Sequence, residues 1–295
     1  MKIKLIFSLF LTLILQTSSA QNFIIEDAER FAAILKENPD LISADIIKAK
    51  YLKPGTEGVK IFTPNRIRNA KNMASMVNKY RSSYDKGIDI ILPSAKASIK
   101  EVNEILANVQ QLLGQKESAP VYVLFGGNNS GGTASGKGLV IGLEVLARFA
   151  ETQEEAKKIV MSFCAHEIVH VYQARSGNGG RGNLLHHSLR EGFADFIENM
   201  ALGEVSNAEK ERHEYGLANE AQLWSEFQEV MDQKELRPWM YDGRNGDRPA
   251  DLGYWIGKRI CEAYYAQAED KVQALQALLR LENAEEILEG SGYNP

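Results

Sequence analysis

Between Glu26 and Glu37 the apolar residues Phe31, Ile34 and Leu35 recur at the spacing of one helix face, and Asn38-Pro39 ends the run. Val59-Lys60-Ile61-Phe62 lies between the turn signals Pro54-Gly55 and Thr63-Pro64 and predicts a short extended piece. Helical patterning resumes over 67–80 and again over 95–113. Val121 to Phe125 is an unbroken apolar run that reads as a buried strand. A polar glycine-rich loop follows over 126–138, then a second strand over 138–143. Further helices are predicted over 152–174, 184–201, 207–233, 251–267 and 270–280, with a glycine-rich loop at 176–183 and a longer loop over 237–251. No internal repeat is visible. The pattern describes a mostly helical α+β chain with a small sheet placed just before the central helices.

The first twenty residues carry a different pattern. Met1 to Lys4 is a short basic start, Leu5 to Leu15 is mostly apolar, and Gln16-Thr17-Ser18-Ser19-Ala20 offers small residues for cleavage after Ala20. The apolar stretch is shorter than the roughly 18 residues a membrane span needs. Residues 1–20 are therefore expected to be a signal peptide, leaving no transmembrane segment and delivering the protein to the periplasm or outside the cell. No cysteine follows the apolar stretch, which argues against lipid attachment there. Residues 21–94 form a helical region without chemical signal, open to reading as a pro-segment, a cleft wall or a binding module. Residues 95–295 carry the chemistry. The formal charge of −5 becomes −7 once Lys2 and Lys4 are removed, and no dense basic run exists. Nucleic acid, bound through clustered Lys and Arg, is therefore not an expected partner. The two cysteines, Cys164 and Cys261, are too few for a disulfide framework; they could pair or remain buried thiols.

His166-Glu167-Ile168-Val169-His170 lies inside the 152–174 helix. Four residues advance a helix by about 400°, so the two imidazoles sit about 40° apart on one face. That spacing lets both rings reach one ion at about 2.0–2.1 Å, the Zn–N distance. Glu167, one step round the helix, is offset from ligation but placed to hold a metal-bound water, whose pKa zinc lowers toward about 7. A third ligand is then needed. Position 176, where a third histidine would fall, is Ser176. A carboxylate from the next helix is the alternative. Glu191 and Asp195 share a face at i, i+4, so Glu191 can ligate while Asp195 holds the ring N–H of a ligand histidine. Glu198 competes with Glu191 as the ligand.

His166-Glu167-x-x-His170 followed by Glu191-x-x-x-Asp195 resembles the gluzincin metallopeptidases. More narrowly, the chain is similar to a family of predicted zinc-dependent proteases of unknown function. The likeness runs over roughly residues 95–295, through the 126–142 segment, Glu191-Gly192-x-Ala194-Asp195, Gly253-Tyr254-Trp255-x-Gly257 and Ser291-Gly292-Tyr293. It implies a gluzincin-like fold, Zn²⁺ as cofactor, and a peptide or protein as substrate. In that reading Glu167 activates the water and Tyr254 helps hold the oxyanion, with His213 and Tyr241 as alternatives. Leu139, Val140, Ile141, Gly142 and Leu143 would form an edge strand that pairs with extended substrate. Two rival readings are a noncatalytic zinc-stabilised protein binding peptides or surfaces and a zinc amidase acting on cell-wall bonds.

Three features have plainer readings. His186 and His187 are close enough to Glu191 to approach a metal, but their plainer reading is to cap the 184–201 helix or line a cleft. Gly131 to Gly138 falls one residue short of a phosphate-binding loop, because Gly138 stands where Ser or Thr is required and a strand follows. Arg237 to Pro249 either lines a cleft or merely connects two helices.

Overall fold

The computed structural model describes residues 22–207, 209–241 and 246–295. The expected signal peptide, residues 1–20, lies outside them. Four strands form one sheet in the order β1-β2-β4-β3: β1 (Phe23–Ile24), β2 (Val121–Leu124), β3 (Gly132–Ser135) and β4 (Gly138–Gly142). β1 runs parallel to β2 and β2 parallel to β4, with Val121 opposite Leu139, while β3 is antiparallel to β4 with Ala134 opposite Leu139. The remainder is mainly helix, which makes the protein a mostly helical α+β fold with one small mixed sheet. Among the described residues no helix is long and apolar enough to cross a membrane.

The expected edge strand over Leu139, Val140, Ile141, Gly142 and Leu143 is corrected here. β4 is interior, paired with β2 on one side and β3 on the other, so its backbone hydrogen bonds are already taken. Its residues are buried, and Leu143 begins the short helix Leu143–Leu146. The edge beside it is β3, hidden in sequence because Gly-Thr-Ala-Ser is a poor strand signature. The stretch resembling a phosphate loop is this β3–β4 hairpin.

Seven of the helices frame the sheet and the candidate residues: α1 (Glu26–Glu37), α2 (Ile99–Leu112), α3 (Gln153–Arg175), α4 (Leu184–Leu202), α5 (Lys210–Ala218), α6 (Glu220–Gln228) and α7 (Leu252–Gln267). The segment 59–62, expected to be extended, is helical within Glu57–Phe62. Thr56 caps it by accepting from the Gly58 N–H at 3.1 Å, and Gly58 lets it lie against Tyr122, whose Cβ stands 2.3 Å from where a Gly58 Cβ would be. The helix expected over 95–113 is interrupted at Ser98, and the one expected over 207–233 divides at Asn219 into α5 and α6. The closing helix Ala284–Ser291 lies beyond the expected elements. Hydrophobic residues from Phe23 to Tyr293 pack into one core.

α3 begins with a capping box: the Thr152 hydroxyl accepts from Glu155 N at 3.2 Å and the Glu155 carboxylate accepts from Thr152 N at 3.1 Å. α4 and α7 cross at backbone contact. A Cβ on Gly257 would stand 1.8 Å from the Ser188 carbonyl oxygen, and one on Gly192 would stand 2.1 Å from Lys258 N. Gly216 on α5 likewise makes room for the Trp255 indole. The glycines of Gly253-Tyr254-Trp255-x-Gly257 thus serve helix packing, and they hold α7 against the helix that carries Glu191 and Asp195.

A buried two-helix donor cluster

α3 turns His166 and His170 toward α4, and α4 turns Glu191 toward both. Nε2 of His166 lies 3.2 Å from Nε2 of His170 and 3.5 Å from Oε2 of Glu191; the His170–Glu191 separation is 3.0 Å. All three side chains are largely buried, with exposures of 15%, 7% and 6%. They form a group capable of holding a metal ion. Ligands at 2.0–2.1 Å in a tetrahedron stand about 3.3 Å apart, so the observed triangle has the size a zinc ion requires.

A second layer fixes these donors. Asp195 Oδ1 lies 2.9 Å from Nδ1 of His166, with Glu198 Oε2 behind it at 3.7 Å. Glu198 in turn accepts from the Ser162 hydroxyl at 2.6 Å, and Asp195 is paired with Arg212 of α5 at 2.6 Å. The outer oxygen of Glu191 accepts from Arg190 at 2.5 Å and from the Tyr241 hydroxyl at 3.1 Å, leaving Oε2 for the histidine side. His170 Nδ1 meets Gln173 Oε1 at 2.7 Å. Glu191 faces both Nε2 atoms, whereas Glu198 stands on the Nδ1 side of His166, where it forms with His166 and Asp195 a second group that could hold a metal ion.

Electrostatics match this arrangement. Burial opposes an imidazolium at His166, but hydrogen bonding to the carboxylates of Asp195, Glu191 and Glu198 outweighs it and lifts the pKa well above its ordinary value. Burial would also raise the Glu191 carboxyl, yet the charge on His170 and hydrogen bonds from both rings pull it well below the carboxylate range. Asp195 is lowered in the same way, burial being overcome first by Arg212. Among the described residues, the carboxylates of Glu191 and Asp195 are paired with the Arg190 and Arg212 guanidiniums, while Glu198 meets the His166 ring. Positive charge between the rings would be strongly favoured there.

The other sequence candidates sit around this cluster. Glu167 is half-buried on α3, with its carboxyl carbon 3.2 Å from where a Gly132 Cβ would be, against β3. The Tyr254 ring lies beside His166, centroids 6.4 Å apart, with Arg212 over it at 5.3 Å and Tyr241 edge-on at 6.1 Å. Tyr241, rather than Tyr254, donates its hydroxyl to Glu191. His186 and His187 stack edge to face at 5.9 Å outside the cluster, and burial lowers the pKa of each. His213, on α5, is also lowered by burial. Cys164 and Cys261 are buried free thiols. Sequence reading missed Gln173 and Arg212. Gln173 carries a detectable signal, since it stands at i+3 from His170 on the face that must be buried; Arg212 carries none.

The fold and this cluster define a class: a helix-rich α+β protein whose two central helices are joined through a metal-type set of imidazole and carboxylate donors. The particular family comes from comparison with known proteins. The chain matches the family described as gliding motility protein GldB over residues 20–295 and belongs to that family. This is a lipoprotein family, so the protein is exported and associated with the cell envelope. No curated protein and no solved structure matches the chain.

These findings correct the resemblance to gluzincins and the activity drawn from it. The matching family is one of gliding motility proteins, it spans nearly the whole chain rather than residues 95–295, and no gluzincin structure matches. The expected peptidase, its hydrolase and metalloprotease character, and the amidase and peptide-binding alternatives do not stand. The catalytic roles assigned to Glu167 and Tyr254 rested on that activity. The reason for the error is physical: the His-Glu-x-x-His spacing specifies two rings on one helix face and says nothing about what reaches them.

Proposed function

We propose that this protein serves gliding motility from the cell envelope, with a helical core organised around one Zn²⁺ held by His166, His170 and Glu191 and with Asp195 backing His166. Residues 1–20 act as the export signal, placing the mature chain on the periplasmic or outer side of the membrane. The observation that carries the metal reading is the donor triangle itself. Its separations of 3.0–3.5 Å fit a tetrahedral ion, and its donors are two imidazoles and a carboxylate, a set suited to zinc rather than to Mg²⁺ or Ca²⁺, which favour oxygen ligands. In this reading the ion ties α3 to α4 and contributes to folding, as structural zinc does.

Metal analysis of the purified chain after dialysis against zinc tests this. About one zinc per chain is expected, falling below about a tenth in Glu191→Gln and in His166→Ala. Zinc at about 100 times its Kd should stabilise the wild type by about 2.7 kcal/mol and leave both variants unchanged. Wild-type protein that retains no zinc, or variants that retain as much as wild type, would overturn the metal reading. The motility reading is checked separately, by replacing the chromosomal copy with His166→Ala in a gliding host. Loss of spreading at undiminished protein level is the expected result, and unimpaired gliding speaks against the site's importance.

A further inference from the structure

We infer that Gln173 is a positioning residue that selects which nitrogen of His170 faces the metal site. The argument rests on hydrogen-bond logic. Gln173 is fully buried on α3, one turn beyond His170. Its side-chain amide touches two groups, the Arg190 backbone carbonyl on α4 at 2.9 Å and Nδ1 of His170 at 2.7 Å. A backbone carbonyl can only accept, so the amide must turn its NH₂ toward Arg190. The amide oxygen is thereby left facing His170 and can only accept in turn. Nδ1 of His170 must therefore carry a proton, and a metal ion that displaces any proton shared between Nε2 and Glu191 Oε2 would find the Nε2 lone pair in the space shared with His166 Nε2. The carbonyl thus sets the orientation of the amide, and the amide sets the tautomer.

The same bond has a second consequence. The carbonyl that Gln173 grips belongs to the residue immediately before Glu191. One side chain therefore aligns a ring on α3 and anchors the carboxylate-bearing turn of α4. The two histidines are also held differently. His166 is backed by the carboxylate of Asp195, and His170 by a neutral amide, which fixes direction without adding negative charge to a site already rich in carboxylates.

The part of this proposal that concerns affinity rests on the zinc reading; the tautomer does not. Nitrogen NMR of histidine-labelled, metal-free full-length protein at pH 9 reads the tautomer directly. The wild type is expected to show a proton on Nδ1 of His170. Gln173→Leu, which removes both donor and acceptor, should relax this to a mixture of tautomers and weaken zinc binding by about 10- to 100-fold. It should also shift the absorption bands of the cobalt-substituted protein, a response that lost packing alone would not produce. Gln173→Met provides a second apolar variant if Leu does not fold, and the wild-type spectrum decides the tautomer in either case. A neutral His170 ring protonated on Nε2 in the wild type would refute the proposal. So would apolar variants with unchanged tautomer and zinc affinity within twofold. If the wild type binds no zinc yet shows the Nδ1–H tautomer, the metal reading fails while the positioning role of Gln173 survives.

Discussion

Two regions of this molecule bury carboxylates, and they handle the charge in opposite ways. In the α4–α5–α7 region three buried acids have a cation against them: Glu191 has Arg190, Asp195 has Arg212, and Glu209 has Lys258 at 2.8 Å, while Glu198 meets the Ser162 hydroxyl and the His166 ring. Near the sheet, Glu144 is fully buried and is held by backbone N–H groups of Gly126 at 3.0 Å and Asn128 at 3.1 Å. The Arg148 guanidinium, whose charge acts on it, hydrogen-bonds Asn128. Burial pushes the Glu144 carboxyl up to about 7, with those amides and Arg148 only partly offsetting it. Glu191, just as thoroughly buried, is drawn low. Depth alone therefore does not set the state of a buried glutamate here; the balance of surrounding charge does, since Glu209, despite Lys258, is also raised to about 7 by burial and by the charges of Asp195 and Glu198. The first region sets cations against most of its buried acids, and the second sets backbone amides around a carboxyl that gives up its charge.

The largest expected effect comes from removing a counter-charge in the first region. Lys258 is 2% exposed and its ammonium reaches Glu209, which also accepts from Asn199 at 3.2 Å and Ser206 at 3.3 Å. Lys258→Met keeps most of the volume but leaves Glu209 without its counter-charge where burial, and then the charges of Asp195 and Glu198, already push its carboxyl up to about 7. Chemical denaturation at pH 8 should show a loss of about 3–5 kcal/mol, the cost of breaking a buried pair by deleting one partner. A loss below about 1 kcal/mol would mean that Glu209 tolerates burial as Glu144 does, and the contrast between the regions would fail.

The same contrast explains how much was legible in the chain. Helical period and the i, i+4 spacing were enough to bring His166 and His170 together, and Glu191 with Asp195 could be singled out because acids one turn apart follow a reversal. Glu144 was not legible. It is a single acid interrupting the apolar run Leu139 to Ala147, and its partners are backbone amides that any residue could supply. Gln173 escaped because its meaning lies in a carbonyl on another helix. β3 escaped because pairing with β4, not side-chain propensity, makes it a strand. The biological role was the least legible of all, since one donor set serves hydrolysis and architecture alike. A motif shows which atoms converge; it does not show what the rest of the chain does with them.

A smaller, pH-dependent effect sharpens the comparison from the other side. The Glu144 pKa is higher in the folded protein than its ordinary value of 4.5. The folded state thus binds this proton more tightly than the unfolded chain does. The associated stability is complete below about pH 4.5 and is lost as the pH rises to about 7, amounting to about 3 kcal/mol over that window. The groups facing Glu144 in this range are Tyr51, Tyr84 and Arg148, none of which changes charge there. Glu144→Gln should therefore lack that slope, so the difference between variant and wild-type stability should change by about 3 kcal/mol between pH 4.5 and 7. Profiles that stay parallel between pH 4.5 and 7 would show that the carboxyl is not the titrating group.

The smallest effect isolates the neutral scaffold around that carboxyl. Tyr84 is fully buried and donates to the Gly126 carbonyl at 2.8 Å, holding the same loop whose N–H groups meet Glu144. Phe31, Tyr51, Tyr84 and Phe125 form the aromatic wall behind it. Burial, reinforced by Glu144 and Tyr51, pushes the Tyr84 hydroxyl far above its ordinary range, so it stays protonated wherever the protein is folded. Tyr84→Phe deletes one hydrogen bond and leaves one buried carbonyl without its donor, a loss of about 1–2 kcal/mol. Since nothing in that exchange takes up or releases a proton, the loss should be equal at pH 5 and pH 8. A cost that grows with pH would mean that the hydroxyl stabilises ionised Glu144 through the loop. The second region would then answer charge with a donor network, as the first answers it with cations.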